Sequence, residues 1–248
     1  MRIIKERYKW LPYNYTLAYD NAWNGLPLVR PLGMYEDDMN FARYDHITDQ
    51  YLWGRDVMVA PVMQQGAVSR EITFPDGNWV DFNHPDHIYQ GHTTINYDAP
   101  IEVLPLFVRA GAFIPQANYE MQNVGDYNPD KLDIVYYPSD YPSTYNLFDD
   151  DLHSTGTLAR DKHREIQFTA TPQGRKNYIT IDSKGDIDGD TPSKAYRLII
   201  PATNKPGKVT INGKKAKGMT YDKPSGTLTI PVTIADITQT TIIEITKY

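Results

Sequence analysis

The chain has 248 residues, of which 40% are hydrophobic and 23% are charged, and its net charge is -6 at pH 7. This length fits one large or two ordinary domains, and the composition predicts a folded core rather than disorder. A negative net charge disfavours nucleic acid as a partner. The chain has no cysteine, which excludes disulfides and thiolate-bound zinc. We also expect no membrane span, because no run of roughly 18 apolar residues occurs.

The first 24 residues are rich in helix formers and large apolar side chains, and they predict a single N-terminal α-helix. Pro12 lacks a backbone donor and predicts a kink or a restart. Gly25 predicts a left-handed C-cap, and Pro27 prevents the helix from continuing. A helix with so much aromatic surface needs partners from a larger helical layer, which the rest of the sequence does not provide.

After Leu26 the sequence changes to short runs of β-branched and aromatic residues between turn residues, which is typical of β-sandwiches. Pro75 and Gly77 predict a hairpin turn between strands at 70–74 and 79–82. The fold class is therefore mainly β, with two β-sandwich domains behind one helix. The predicted boundaries are 1–25 for the helix, 26–117 for a proximal domain, 118–131 for a linker and 132–248 for a distal domain.

Six segments, in order, resemble glycoside hydrolase family 31. They are RYKWLPYNYTL at 7–17, GLPLVRPL at 25–32, DQYLWG at 49–54, VMVAPV at 57–62, FPDGNWVD at 74–81 and PLFVRAGAFIP at 105–115. In the family, the first is the final helix of the catalytic (β/α)8 barrel and the second leaves that barrel. LFDDD at 147–151 is similar to the L-Y-E-D-D-G element of the distal domain, although Leu152 replaces the glycine.

The resemblance implies a retaining α-glycoside hydrolase of the α-glucosidase or α-xylosidase type, acting on α-linked oligosaccharides or polysaccharides. In the family, the aspartate nucleophile and the aspartate acid/base lie on barrel strands upstream of the helix that opens this sequence. The resemblance therefore implies no catalytic residue and no cofactor here, and the barrel of a parent enzyme as the main partner. It favours a periplasmic or extracellular setting, and oligomerisation is left open.

Asp38, Met39 and Asn40 match part of the family's nucleophile motif, W-x-D-M-N-E. However, Glu36 stands in place of the tryptophan and Phe41 in place of the glutamate. The segment also follows the predicted exit from the barrel, so we interpret it as a polar loop and not as a catalytic element.

Candidate ligand-binding residues are few. Trp79, Tyr89 and Tyr97 are candidates for a sugar-stacking platform, with core packing as the alternative. Asp149 and Asp151 are candidates for binding a hard cation, with a hydrogen-bonded turn as the alternative.

Two further groups of polar residues fit no metal-binding motif. His84, His87 and His92 do not have the spacing of metal ligands. The acidic loop with Asp182, Asp186, Asp188 and Asp190 departs from the EF-hand pattern when it is aligned from Asp186. We expect no metal site from either group.

Two functions compete with that of a non-catalytic region of a hydrolase. The first is a carbohydrate-binding module, which requires an exposed row of aromatic residues or a concave cleft. The second is a purely structural or dimerising appendage.

Overall fold

The computed structural model describes residues 2–35, 41–119, 121–187 and 193–247. The chain divides into two compact units: Pro27–Ala112 forms one, and Met1–Leu26 together with Phe113–Tyr248 forms the other. Both units consist mainly of β-strands, which confirms the predicted fold class. The predicted domain boundaries, 1–25, 26–117, 118–131 and 132–248, stay predictions.

The N-terminal segment contains two helices, α1 (Arg2–Lys9) and α2 (Leu11–Asn24), where the sequence predicts one. The helix is interrupted at Trp10, so Pro12 lies in the first turn of α2, where its missing N–H removes no hydrogen bond. Gly25 ends α2 with a φ of 70°, and its N–H donates to the carbonyl of Asn21, which confirms the predicted left-handed cap. No helix in the described ranges is long and apolar enough to cross a membrane.

The unit Pro27–Ala112 contains a six-stranded sheet and a two-stranded sheet. Its strands are β1 (Val29–Arg30), β2 (Tyr51–Trp53), β3 (Val57–Val59), β4 (Ser69–Thr73), β5 (Asn78–Asp81), β6 (Ile88–Gln90), β7 (Thr94–Asp98) and β8 (Leu106–Arg109). The larger sheet has the order β1-β2-β3-β8-β5-β6, and β4 pairs with β7. Apolar side chains of both sheets, including Ile72, Met58 and Phe107, share one core.

The turn at 75–78 has the predicted local conformation, but it does not close a hairpin. Gly77 has a φ of 101°, in the left-handed region. However, β4 pairs with β7, whereas β5 pairs with β6 and β8. The hairpin prediction is therefore wrong, because turn chemistry fixes backbone angles and not the strand that each neighbour pairs with.

The second unit contains two larger sheets. Its strands are β9 (Phe113–Ala117), β10 (Leu132–Tyr136), β11 (Ser143–Asp149), β12 (Arg164–Gln173), β13 (Lys176–Gly185), β14 (Lys194–Ile200), β15 (Lys208–Ile211), β16 (Lys214–Lys215), β17 (Thr220–Asp222), β18 (Thr227–Ile234) and β19 (Thr241–Thr246). The sheet orders are β17-β18-β14-β10-β9 and β11-β12-β13-β19-β15-β16. Alternate residues of both sheets fill one common core.

The sequence does not predict three short strands, β2, β16 and β17. Each has only two or three residues, which is too short for a hydrophobic alternation to be detectable. Both β16 and β17 lie at an edge of their sheets. Conversely, the run at 106–114 is divided between β8 and β9, which belong to different sheets.

Candidate functional site

Trp79 lies in the core of its unit. It is 0% exposed, and its Nε1 donates to the carbonyl of Pro75 at 2.9 Å. The Arg109 guanidinium lies 4.4 Å from the centre of its ring and donates to the carbonyl of Asp76. The indole therefore stabilises the turn at 75–78 and presents no free face to a sugar.

Tyr97 and Tyr89 belong to the same core. The Tyr97 hydroxyl donates to buried Asp81 at 2.8 Å, and burial together with this carboxylate raises the pKa of Tyr97. Tyr89 is half-buried, and its ring stacks on Phe74 at a centroid distance of 5.0 Å. The three rings therefore do not form an exposed row. Sugar binding by Trp79, Tyr89 and Tyr97 stays a prediction.

Asp149 is 2% exposed, and its Oδ2 accepts from the Lys194 ammonium at 2.7 Å. The same ammonium donates to Asp130 at 2.6 Å, and the Lys194 side chain is 1% exposed. Burial alone lowers the pKa of Lys194, but the carboxylates of Asp149 and Asp130 outweigh this effect and raise it. Asp149 therefore belongs to a buried ion-pair network.

Asp151 caps a turn. Its Oδ1 accepts from the backbone N–H groups of His153 at 3.1 Å and of Ser154 at 2.8 Å. These bonds, the Ser154 contacts first, lower the pKa of Asp151 to about 2. Asp149 and Asp151 thus have separate partners.

The other candidate metal ligands are likewise dispersed. The Nδ1 of His92 lies 2.7 Å from the Arg43 guanidinium, whereas the rings of His84 and His87 lie 5.6 Å apart and are tilted by 33°. Among the described residues, no group of three histidine or acidic side chains is arranged to hold a metal ion. Asp188 and Asp190 of the acidic loop, and the 38–40 segment, lie outside the described residues.

Sequence reasoning missed a surface on which α2 docks. We define the helix-docking surface as Tyr145, Phe148, Asp150, His163 and Glu165, all in the same compact unit as the helix. Two aromatic stacks hold the helix on this surface. Tyr13 stacks on Tyr145 at 6.4 Å, and Tyr19 stacks on Phe148 at 4.4 Å.

Hydrogen bonds complete this interface. The Tyr15 hydroxyl donates to both carboxylate oxygens of Asp150, at 2.9 and 3.0 Å, and burial followed by this bond raises the pKa of Tyr15. The Tyr19 hydroxyl donates to Glu165 at 3.1 Å, and burial and the nearby carboxylate raise the pKa of Tyr19 to about 12. Thr16 Oγ1 accepts from the Phe148 N–H at 3.2 Å.

The opposite face of the helices is uncovered. Ile4 is 60% exposed, Leu11 is half-buried, and Ala18 and Ala22 are exposed. Within α2, Leu11, Ala18 and Ala22 are spaced seven and four residues apart, which places them on one side of that helix. Within its unit, α2 therefore has one buried and one open apolar face.

The fold defines a class of tandem β-sandwich proteins in which one sandwich carries an attached helix. Residues 25–114 match the model of the glycosyl hydrolase family 31 C-terminal domain. Residues 25–114 thus contain the family 31 C-terminal domain, and the likeness to family 31 proteins extends over most of the chain.

Curated relatives include alpha-glucosidase 2 of Bacillus thermoamyloliquefaciens, which is 30% identical over 221 residues, covering 86% of this chain and 27% of the relative. The alpha-xylosidase of Saccharolobus solfataricus is 31% identical over 153 residues, covering 61% of this chain and 20% of the relative. This chain thus spans about a quarter of the length of these relatives.

Solved structures of other proteins also resemble this chain over nearly its full length. A family 31 dextranase of Flavobacterium johnsoniae, solved with isomaltotriose, superposes with a TM-score of 0.86 and 26% identity over 98% of this chain and 32% of that one. The cycloalternan-forming enzyme of Listeria monocytogenes superposes with a TM-score of 0.74 and 27% identity over 98% of this chain and 23% of that one.

Proposed function

We propose that this chain is the non-catalytic C-terminal region of a retaining α-glycoside hydrolase of the α-glucosidase or α-xylosidase type, acting on α-linked oligosaccharides or polysaccharides. Its role is to carry the last helical segment of the catalytic barrel on a rigid β-scaffold. The relatives named above, an alpha-glucosidase, an alpha-xylosidase and a dextranase, support this assignment.

The observation that carries the proposal is that α2 has apolar residues on two opposite faces. On the buried face of α2, Tyr13 is 1% and Leu17 is 4% exposed, whereas Ala18 and Ala22 on its other face are exposed. A helix with apolar residues on both faces is typical of a segment that lies between two layers. The helix-docking surface supplies one layer, and we assign the second to the barrel of the parent enzyme.

The docked face is held independently of any partner. Each aromatic stack contributes about 0.5–1.5 kcal/mol beyond area burial, and each hydrogen bond about 1 kcal/mol. The two stacks and the bonds of Tyr15, Thr16 and Tyr19 therefore pre-position the helix. The open face then remains available for the barrel.

Acidic residues at the docking surface and in the cores already have structural partners. Asp81 accepts from Tyr97, Asp149 from Lys194, and Asp150 from Tyr15. Retaining hydrolysis needs two carboxyl groups about 5–5.5 Å apart that both face a substrate. Their engagement supports a structural role for these three carboxylates.

Hydrolysis assays on the isolated chain test this role. We expect no turnover of aryl α-glucosides or aryl α-xylosides, and no covalent labelling by a mechanism-based glycosidase inhibitor. Turnover that such a label abolishes would contradict the proposal.

Substitution on the open helix face tests the barrel contact. Ala18→Arg should leave the melting temperature of the isolated chain unchanged, because Ala18 is exposed. In a polypeptide that also contains the barrel, it should lower kcat/KM or the folded yield. The control is Thr233→Arg, at an exposed position of β18, and it should change neither. Equal effects of the two substitutions would exclude this face as the contact.

A further inference from the structure

The net charge of the chain conceals a strongly basic segment. Residues 203–223 contain six lysines and one acidic residue, whereas the rest of the chain contains 19 basic and 30 acidic side chains. The segment therefore carries a net charge of +5 within a chain of net charge -6. All six lysines are exposed: Lys205, Lys208, Lys214, Lys215, Lys217 and Lys223.

Local acidic groups do not neutralise this segment. Asp222 accepts hydrogen bonds from the backbone and the hydroxyl of Ser225. Glu244, the carboxylate beside Lys208, is paired with Lys176 at 2.8 Å. Within the described ranges, none of the six lysines has a carboxylate oxygen within 4.0 Å of its ammonium group. The positive charge is therefore available to a partner.

Two of these lysines flank a cavity. Lys205 and Lys223 line a concave space of about 680 Å³, together with Pro206, Met219, Thr220, Tyr221 and Leu228. The Tyr221 hydroxyl donates to the carbonyl of Thr203 at 3.0 Å, which fixes the orientation of the ring. Met219, which is 36% exposed, adds an apolar wall.

The cavity also borders a sheet edge. β17, which supplies Thr220 and Tyr221, pairs with β18 on one side and ends the described five-stranded sheet. An edge strand presents backbone N–H and C=O groups that can bond to hydroxyl groups of a ligand. Lysines, an oriented aromatic ring and an open strand edge thus meet at one place.

We propose that this cavity binds an anionic polysaccharide, with a sugar ring against Tyr221 and Met219 and its carboxylate or sulfate groups at Lys205 and Lys223. A concave site with an aromatic wall suits a ring rather than a flat bilayer surface. Ammonium groups bind such anions through charge-assisted hydrogen bonds. The inference goes beyond the proposed function, because it concerns a polymer that the chain would hold and not one that is cleaved.

Titration calorimetry with dextran sulfate and size-matched neutral dextran tests the proposal, since the two polymers share one backbone. Polygalacturonate is the second anionic probe and distinguishes carboxylate from sulfate recognition. We expect binding to at least one anionic polymer, no binding to dextran, and an affinity that falls as salt increases. Binding to neither anionic polymer would overturn the proposal.

A pair of double variants locates the site. Lys205→Glu with Lys223→Glu should weaken the binding of the anionic polymer by roughly tenfold or more, because two attractive contacts become repulsive. Lys131→Glu with Lys184→Glu changes the net charge equally at exposed positions elsewhere, and it should change the affinity by less than about twofold. Circular dichroism verifies the fold of both variants. Equal losses in the two variants would overturn the assignment to this cavity.

Vesicles of phosphatidylglycerol and phosphatidylcholine, and duplex DNA, are the competing polyanions. We expect neither to bind as tightly as the preferred polysaccharide. If either binds more tightly, and the Lys205 and Lys223 changes abolish that binding, the surface recognises a membrane or a nucleic acid and the proposal is wrong.

Discussion

The two compact units are stabilised in different ways. In Pro27–Ala112, the centre depends on particular polar partners: Trp79 donates to a backbone carbonyl, Asp81 accepts from Tyr97, and Arg109 covers the indole. In the other unit, long paired strands such as β12 and β13, each with ten residues, fill the core with alternate apolar side chains. The stability of Pro27–Ala112 thus depends on specific residues. The stability of the other unit depends mainly on the alternation of apolar and polar side chains along its strands.

The motifs that resemble family 31 lie mostly in the first unit. The family model matches residues 25–114, whereas the structural likeness to the Flavobacterium johnsoniae dextranase covers 98% of the chain. A residue that must form a specific hydrogen bond accepts few substitutes, whereas an alternating apolar position accepts many. Sequence motifs are therefore clearer in the first unit than in the second.

The largest expected effect is at the centre of the first unit. Trp79→Ala should lower the free energy of unfolding by about 3–5 kcal/mol, because it leaves a large cavity and removes the contact with Arg109. Trp23→Ala is the matched control, since Trp23 is 61% exposed, and it should cost less than about 0.5 kcal/mol. Urea unfolding followed by circular dichroism measures both. Similar values for the two would refute the central role of Trp79.

In the second unit, the largest loss of stability should come from breaking the buried ion pair of Lys194 and Asp149. Lys194→Met should cost about 3 kcal/mol, because the Asp149 carboxylate then stays buried without its cation. Lys194→Met with Asp149→Leu should recover most of that loss. Lys184→Met, at an exposed lysine, is the control for the loss of a charge. A double variant no more stable than the single one would show that the carboxylate is not the source of the loss.

The ion pair of Lys194 and Asp149 also predicts how the free energy of unfolding depends on pH. The folded-state pKa of Lys194 is raised, so that its contribution is fully present below the unfolded-state pKa of lysine. That contribution is lost as the pH rises through the folded-state value. The difference in unfolding free energy between the wild type and Lys194→Met should therefore be constant near neutral pH and shrink only in strong alkali.

A smaller effect should come from the turn at 75–78. Gly77→Ala introduces a side chain at a φ of 101°, where its Cβ would lie 2.6 Å from Arg109 Nη1. Gly66→Ala is the matched control, because Gly66 has a φ of 79° and open space around it. We expect a cost of about 2 kcal/mol for Gly77→Ala and about 1 kcal/mol for the control. Equal costs would mean that Arg109 moves aside freely.

The smallest expected effect on stability is the loss of the turn contacts of Asp151 at low pH. Its pKa of about 2 means that its contribution to stability is present above the unfolded-state pKa and is lost as the pH falls toward 2. An NMR titration of the carboxyl carbon should show this midpoint, and millimolar Ca²⁺ should not shift the signal. A Ca²⁺-dependent shift would instead support the cation-binding hypothesis.

Local features of the sequence were predicted well. Hydrophobic alternation located most strands, including β13 and β18, and Gly25 marked the end of the helical segment. The candidate site residues were harder to interpret. Trp79, Tyr97 and Asp149 have side chains that suit either a ligand or a core, and only burial distinguishes the two. The six lysines are visible in the sequence, but the cavity beside Lys205 and Lys223 is not.

The sequence by itself determined the mainly β class, the positions of caps and turns, and the likeness to family 31, because each of these depends on residues that are neighbours along the chain. Only the tertiary structure decided that β4 pairs with β7 and that α2 docks on Phe148 and Asp150. Such contacts join residues that are 21 to 135 positions apart. Their free energy depends on burial and geometry, which no local pattern specifies.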